Sequence, residues 1–501
     1  MVGRQAMKGQ EARSKSLAAL GLAAGGARRV TGLELDSRAV RPGHLFAALP
    51  GSRVHGAEFI PYALRMGATA ILTDPQGAAE AEGALVGSDA VLVVVPDPRL
   101  ALAQAAARWF DAQPEVIVAV TGTNGKSSVA SFTRQIWAAL GREAANLGTT
   151  GVEGAFSAPL AHTTPDTLTL HRLLAEMSAA GVTHLAMEAS SHGLDQRRLD
   201  GVHLAAAAFT NFSQDHLDYH GSMEAYFAAK AGLFSRILPA TGAAVINLDD
   251  AKGPLLAAQA AGRGQRVLGV GHGATADLAI EAQRFHATGQ ELRFRWRGVV
   301  HQVRLDLIGG FQAHNALVAA GLVLACAEPP AAVFAALERL ATVRGRMDLA
   351  ARRANGAAVY VDYAHTPDAL ATALAALRPH VLGRILVVFG AGGDRDRGKR
   401  PLMGQAAAGG ADVVIVTDDN PRSEDPAAIR AQILQGHPDA TEIGDRAEAI
   451  LRGVDALGPG DALLIAGKGH EQGQIVGDQV FPFDDIEQAS VSVAALDGRG
   501  A

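Results

Sequence analysis

Short runs of β-branched and aliphatic residues recur along this chain between longer alanine- and leucine-rich stretches with helical spacing. The first half carries ATAILTD (68–74), AVLVVV (90–95), EVIVAV (115–120), HLAMEAS (184–190) and AAVINLD (243–249). The second half carries AAVYVDYA (357–364), RILVVFGAG (384–392), ADVVIVTDD (411–419) and DALLIAGKG (461–469). Strand-like runs alternating with helix-like stretches predict an α/β fold. The later runs are almost continuously apolar and end in glycine or polar residues, as strands of a parallel sheet buried on both faces do. One region departs from this pattern. Between Ile280 and Leu307, EAQRFHATGQELRFRWRGVVHQVRL alternates polar and apolar residues around a glycine turn and predicts an antiparallel insertion.

The chain has 501 residues, more than one hydrophobic core usually organises, so three domains are expected. FDAQP (110–114) and TVRGR (342–346) read as linkers, which places the domains at 1–112, 113–342 and 343–501. With 48% hydrophobic and 19% charged residues and a net charge of -6, the composition is that of a soluble globular protein without strong attraction to nucleic acid or membranes. No run approaches the roughly 18 apolar residues of a membrane span. Near the start, Arg4, Lys8, Arg13 and Lys15 precede the mildly apolar Leu17 to Ala24, a superficial likeness to an export signal. Glu11 and the weak apolar centre favour an ordinary amphipathic first helix. Cys326 is the sole cysteine and is read as a small core residue in a reducing compartment, the cytoplasm.

Chemistry concentrates in a few loops. VAVTGTNGKSS (118–128) joins a strand to a segment of helical spacing, Ser127 to Leu140, but only two residues separate Gly122 from Gly125. The usual phosphate-loop spacing has four. A strand end leading into a helix start nevertheless suits an anion, because unpaired N–H groups and the positive end of the helix dipole face it and Lys126 adds a full charge. Ser127 there is placed to ligate Mg²⁺. Glu188 ends the apolar run before Ser190, Ser191 and His192; FTNFSQDHLDYHG sets His216 and His220 among Asp215 and Asp218; Lys230 follows on a predicted helix. Singly, each of these also reads as a surface or core-edge group. In VVIVTDDNPRSEDP a buried strand empties into Asp419, Asn420, Pro421 and Arg422. An acid and an arginine on a stiff turn suit a zwitterion, since guanidinium pairs with carboxylate in a two-pronged geometry while acidic or amide groups accept from ammonium.

Together TGTNGKSS, MEASSHG, TNFSQDHLDYHG, the AAK around Lys230, GGFQAHNALVA (309–319), GRMD (345–348) and DYAHTPDAL resemble the Mur ligase family over nearly the whole chain. DSRAVRPGHLFAALPG (36–51) resembles the N-terminal uridine-nucleotide domain of the branch that extends a UDP-N-acetylmuramoyl dipeptide. The resemblance implies a smaller N-terminal α/β domain, a central ATPase domain of the P-loop type with a mostly parallel sheet, and a C-terminal Rossmann-like domain. It implies ATP at Gly122, Thr123, Asn124, Gly125, Lys126, Ser127 and Ser128, with Asn315, Arg346 and Asp362 as further nucleotide contacts. Ser127 and Glu188 would lie near one Mg²⁺, and His216 and Lys230, the latter carbamylated by CO₂, would hold a second. Lys126, Glu188, His216 and Lys230 form the implied catalytic set.

Leu35, Ser37, Thr163, Thr164, Ser190, Gln196 and Arg198 match positions that hold the UDP-muramoyl-dipeptide. DNPR resembles the signature of members that add meso-diaminopimelate, with Arg395, Gly467 and Glu471 as further contacts. Two stretches depart from the family pattern: Ser52-Arg53-Val54 stands where relatives often have a His-Gln-Ala-like segment, and His162 stands where some have asparagine. The implied reaction is amide formation through an acyl phosphate, with domain closure gathering the reactants, and a monomer is the expected form. A lysine-adding ligase of the same branch, a folate polyglutamylating enzyme and a nucleotide-dependent switch remain as alternatives at this point.

Overall fold

The computed structural model describes residues 14–23, 26–51 and 54–498. Arg4, Lys8, Glu11, Arg13, Ala24, Ser52 and Arg53 lie outside the described residues. The chain divides into two compact units: the first comprises the described residues up to Lys126 with 140–269 and 322–327, the second 127–139, 270–321 and 328 onward.

Within the first unit, four parallel strands, Gly32–Glu34, His44–Ala47, Ala70–Thr73 and Val91–Val94, form a small sheet in chain order. The opening segment is not the helix that its composition predicts. Lys15–Ser16 pairs antiparallel with Arg29–Val30, and between them Leu20 N–H bonds to Ser16 O (3.1 Å) before the chain folds back, with Leu22 N–H on Leu17 O (2.8 Å) across Gly21 at φ +81°. A helix this short is marginal on its own. Burial of Leu17, Leu20 and Leu22 and a bond from Arg108 Nη1 to Leu20 O (2.8 Å) decide the turn instead.

The larger sheet of this unit runs in the order Gly151–Gly154, Ala144–Gly148, His184–Glu188, Val116–Thr121, Leu204–Phe209, Ala243–Asn247. All these neighbours are parallel except the first pair. Burial of both faces explains why these strands read as unbroken apolar runs.

In the second unit, Leu278–His286, Gly289–Trp296 and Val299–Leu305 form the expected antiparallel insertion, as a meander with two tight turns. Its other sheet has the order Asp348–Arg352, Ala358–Asp362, Ala462–Ala466, Ile385–Phe389, Val413–Val416, Thr441–Glu442, antiparallel only at the first pair. Alternation sends Val387 and Phe389 to one core and Leu386 and Val388 to another on the opposite face. Cys326 is half-buried one residue beyond the helix Phe311–Ala325, so it is not the core residue expected.

Arg446, the first residue of the helix Arg446–Asp455, is fully buried and bidentate to the fully buried Asp485, with Nε–Oδ1 and Nη2–Oδ2 both 2.7 Å. It also donates to Ala466 O (3.1 Å) and Asp418 O (3.3 Å), tying two strand ends together. Arg446→Met leaves the Asp485 carboxylate buried and unpaired and should cost about 3–5 kcal/mol. Urea unfolding followed by circular dichroism should show the midpoint fall accordingly.

Candidate active site

Parallel register builds the first cluster. Glu188 pairs with Val120 on one side of the Val116–Thr121 strand, and Phe209 pairs with Thr121 on the other, so three strand ends meet at one edge. Ligands of open α/β sheets bind at such carboxyl edges. The loop Gly122–Gly125 leaves the central strand and opens the helix Lys126–Ala139, whose Ser127 and Ser128 are buried in the first turn. Gly122 has φ +150°, and a Cβ there would sit 1.9 Å from Thr210 Oγ1, so the position admits only glycine. The next strand end fastens the loop: Thr123 N–H donates to Asn211 O (2.9 Å) and Asn124 N–H to Asn211 Oδ1 (2.8 Å).

Two ammonium groups converge on one carbonyl. Lys126 Nζ donates to Gly122 O (3.0 Å) and Thr123 O (2.7 Å), and Lys230 Nζ donates to the same Gly122 O (2.7 Å). Lys230 lies on the helix Met223–Gly232, capped by Ser222, is 1% exposed, and stands 4.4 Å over the ring of Tyr226 one turn earlier. Burial, with Lys126 beside it, holds the Lys230 amine well below the ordinary lysine range, against the pull of Asp215. Burial likewise pushes the Tyr226 hydroxyl up to about 12. His216, at φ +50°, carries its ring 4.8 Å from His192 and 6.0 Å from Tyr226. Burial lowers His216, and burial together with the neighbouring imidazoles pushes His192 down to about 4. Both rings are therefore neutral near pH 7, the form that ligates metal.

Glu188 is 2% exposed; Oε1 accepts from Thr149 N–H (2.8 Å) and its backbone carbonyl accepts from Thr164 Oγ1 (3.0 Å). From there a single network runs through the other expected residues. Thr149 Oγ1 meets Thr163 Oγ1 (3.0 Å), Ser190 N–H donates to Thr164 Oγ1 (3.1 Å), Arg198 donates to Thr164 O (2.6 Å) and Gln196 Oε1 (2.7 Å), and Gln196 Nε2 reaches the Tyr219 hydroxyl (3.0 Å). Leu35 and Ser37 follow the Gly32–Glu34 strand and make no bond to this network among the described residues.

The second unit carries its own cluster. Asp419 to Arg422 leave the Val413–Val416 strand, and a hairpin of Gly473–Val476 and Gln479–Pro482 fastens them. Arg422, left-handed at φ +51°, gives its N–H to Ile475 O (3.0 Å) and accepts Gly477 N–H (2.8 Å), bonds that offset about 1–2 kcal/mol of backbone strain. Its Nη1 donates to Gly393 O (2.8 Å), and Arg422 and Arg395 both flank Gly392. Asn420 Nδ2 donates to Glu471 Oε2 (2.9 Å), while Pro421 O accepts from Glu424 N–H (3.1 Å). Gly467 has φ +116°, with Asp419 Oδ2 only 2.6 Å from where a Cβ would stand. Asp362 accepts from Met347 N–H (2.7 Å) and Ala364 N–H (2.9 Å); burial raises its pKa against the pull of Arg346, which lies 4.6 Å over the Tyr363 ring. Asn315 bonds to Gln312 (3.0 Å), and no hydrogen bond joins it to Arg346 or Asp362 among the described residues.

Family models for the Mur ligase middle domain, the Mur ligase glutamate ligase domain and the Mur ligase catalytic domain match residues 120–323, 345–469 and 29–110. The UDP-N-acetylmuramoyl-L-alanyl-D-glutamate–2,6-diaminopimelate ligase of Caulobacter vibrioides is 51% identical over 475 residues, covering 93% of this chain and 96% of that protein. The chain belongs to the Mur ligase family. The protein of the same name from Bradyrhizobium diazoefficiens is 52% identical over 475 residues, covering 94% and 96%. A solved structure of a ligase with that name is 35% identical with a TM-score of 0.71 over 97% of this chain and 99% of that one. The MurF ligase of Thermotoga maritima in complex with ADP, 19% identical with a TM-score of 0.60 over 93% of this chain and 97% of that one, shares the fold.

In this Mur ligase, sequence reading misses the residues that fasten the motifs rather than the motifs themselves. Thr149 acts through a main-chain contact that no pattern announces, and Asn211, although inside TNFSQDHLDYHG, through main-chain and amide contacts that the motif does not single out. Tyr226 is signalled only by its spacing of one helical turn from Lys230, and Lys468 only by its place at the end of DALLIAGKG, between Gly467 and Glu471.

Proposed function

We propose that this chain joins the D-glutamyl γ-carboxylate of UDP-N-acetylmuramoyl-L-alanyl-D-glutamate to an amine of meso-diaminopimelate, driven by ATP. A carboxylate oxygen attacks the γ-phosphorus, the bond to the β-phosphate breaks and ADP leaves. The amine nitrogen then attacks the acyl phosphate carbon, the carbon–oxygen bond breaks, phosphate departs and the nitrogen loses a proton. Such chemistry asks for positioning and charge neutralisation rather than a protein nucleophile. The observation that carries the reading is Lys126 and Lys230 on the one carbonyl of Gly122, beside a buried Glu188.

The donor set fits Mg²⁺: hydroxyl, carboxylate and neutral imidazole are present, and a carbamate on Lys230 adds the oxygens a hard cation prefers to an amine. Ser127 and Glu188 would hold one ion, and His216 and Lys230 a second; bound there, Mg²⁺ neutralises charge on the transferring phosphoryl group. Gly122 to Ser128 would cradle the phosphates, with Asn315, Arg346 and Asp362 as further nucleotide contacts. Leu35, Ser37, Thr163, Thr164, Ser190, Gln196 and Arg198 would hold the UDP-linked substrate, and Arg395, Asp419 to Arg422, Gly467 and Glu471 the amino acid. Domains at 1–112, 113–342 and 343–501, a monomeric form and a cytoplasmic location belong to the same reading; no helix among the described residues is long and apolar enough to cross a membrane.

Phosphate release should require the UDP-muramoyl-dipeptide and diaminopimelate together. Equal release with lysine, or release without either substrate, would overturn the assignment.

A further inference from the structure

One buried charge in the second unit has no part in the reaction as described. Lys468 is 0% exposed; its Nζ donates to Asn420 Oδ1 (2.9 Å) and lies 3.6 Å from Glu471 Oε2. Asn420 Oδ1 also accepts from Ile475 N–H (2.9 Å), so two donors fix the orientation of this amide and turn its Nδ2 toward Glu471 Oε2 (2.9 Å). Glu471 Oε1 accepts no hydrogen bond from the described residues. The other buried cations nearby are already paired, Arg446 with Asp485 and Arg400 with Glu424. Around the Asp419–Arg422 turn this leaves two carboxylates, Asp419 and Glu471, with Lys468 and Arg422; Arg395, also beside Gly392, is a third cation whose charge is the same for either amino acid.

We propose that Lys468 is a specificity-determining residue: by balancing one of these carboxylates it tunes the pocket to an amino acid whose distal end is a neutral zwitterion, and against one whose distal end is a lone ammonium. The inference rests on the reading of Asp419–Arg422 as the diaminopimelate site. The distal centre of diaminopimelate carries ammonium and carboxylate together, whereas that of lysine carries ammonium alone. With Lys468 in place, the ligand carboxylate meets Arg422 and its ammonium meets the one carboxylate left unbalanced. Without Lys468, a carboxylate is left in surplus in a site that is buried at Asp419 and half-buried at Glu471, and the ligand that neutralises it best is the one bringing a net positive charge. Lys468 touches no substrate in this scheme; it acts through Asn420 and Glu471 and through its charge.

The test compares kcat/KM for meso-diaminopimelate and for L-lysine in the full-length enzyme with ATP, Mg²⁺ and the UDP-muramoyl-dipeptide. Lys468→Met and Lys468→Gln should each raise the ratio of lysine to diaminopimelate by about tenfold or more. The Lys468→Gln variant keeps an N–H donor for Asn420 but lacks the ammonium's charge, so it separates charge from hydrogen bonding and also serves if Lys468→Met does not fold. Lys468→Arg should restore the native ratio, and KM for ATP and for the UDP-linked substrate should stay within about twofold throughout. A loss shared equally by both amino acids, or an unchanged ratio, overturns the proposal. Arg422→Ala supplies the control: if it leaves kcat/KM for diaminopimelate unchanged, the site reading itself fails. If it lowers that value while the Lys468 variants leave the ratio alone, only the role of Lys468 fails.

Discussion

Lys230→Ala should slow phosphate release on the order of a thousandfold, and Lys230→Arg should do the same although it keeps the charge. Burial is the first cause. A lysine that is 1% exposed and shares a carbonyl with a second ammonium is poorly solvated as a cation, and its pKa is held well below the lysine range first by burial and then by Lys126. The neutral amine is the nucleophile that CO₂ requires, and on the proposed reading a carbamate there would replace a group whose protonated form repels Lys126 and Mg²⁺ with an anion that attracts both. Arginine forms no such carbamate, which makes the conservative substitution the discriminating one. Stripping CO₂ from the native enzyme should lower activity and bicarbonate should restore it, while formate or acetate should partly rescue the alanine variant by filling the vacated volume with a carboxylate. An active Lys230→Arg enzyme would remove the carbamate from the mechanism.

How far the sequence reaches is clear at particular residues. Val116–Thr121, Ile385–Phe389 and Ala462–Ala466 are legible as strands because burial on both faces leaves an unbroken apolar run, and the antiparallel insertion because burial on one face leaves alternation. The phosphate loop is legible because glycine, lysine and serine are each demanded by a local geometry. Convergence is not legible: Glu188, His216 and Lys230 are 28 and 14 residues apart, and only the parallel register of three neighbouring strands brings the strand end of Glu188 and the segment carrying His216 and Lys230 to one edge. The turn at Leu17–Leu22 reads as a helix because Arg108, whose guanidinium donates to Leu20 O and helps decide the turn, is a partner that a window of the sequence does not contain. Lys468 falls between the two cases. Its place beside Glu471, three residues on, is visible, but its charge acquires meaning only against Asn420, which the fold of the second unit brings from another strand end.

Lys126→Met is expected to cost about as much as the loss of Lys230, again on the order of a thousandfold in kcat, and the two losses should not add. Both lysine nitrogens address Gly122 O, at 3.0 and 2.7 Å, so each variant disables the same loop and the double variant should be little worse than either single one. Lys126 has a second effect that can be measured without turnover. Its charge is one of the causes that depress Lys230, second to burial. Removing it should let the Lys230 pKa rise toward the ordinary lysine value, so that a higher pH is needed before the amine is neutral and able to bind CO₂. With carbon-13 bicarbonate, the pH at which a carbamate resonance appears should therefore move upward in Lys126→Met relative to the native protein. An unchanged midpoint would mean that burial alone sets the amine, and that Lys126 serves the phosphates without preparing its neighbour.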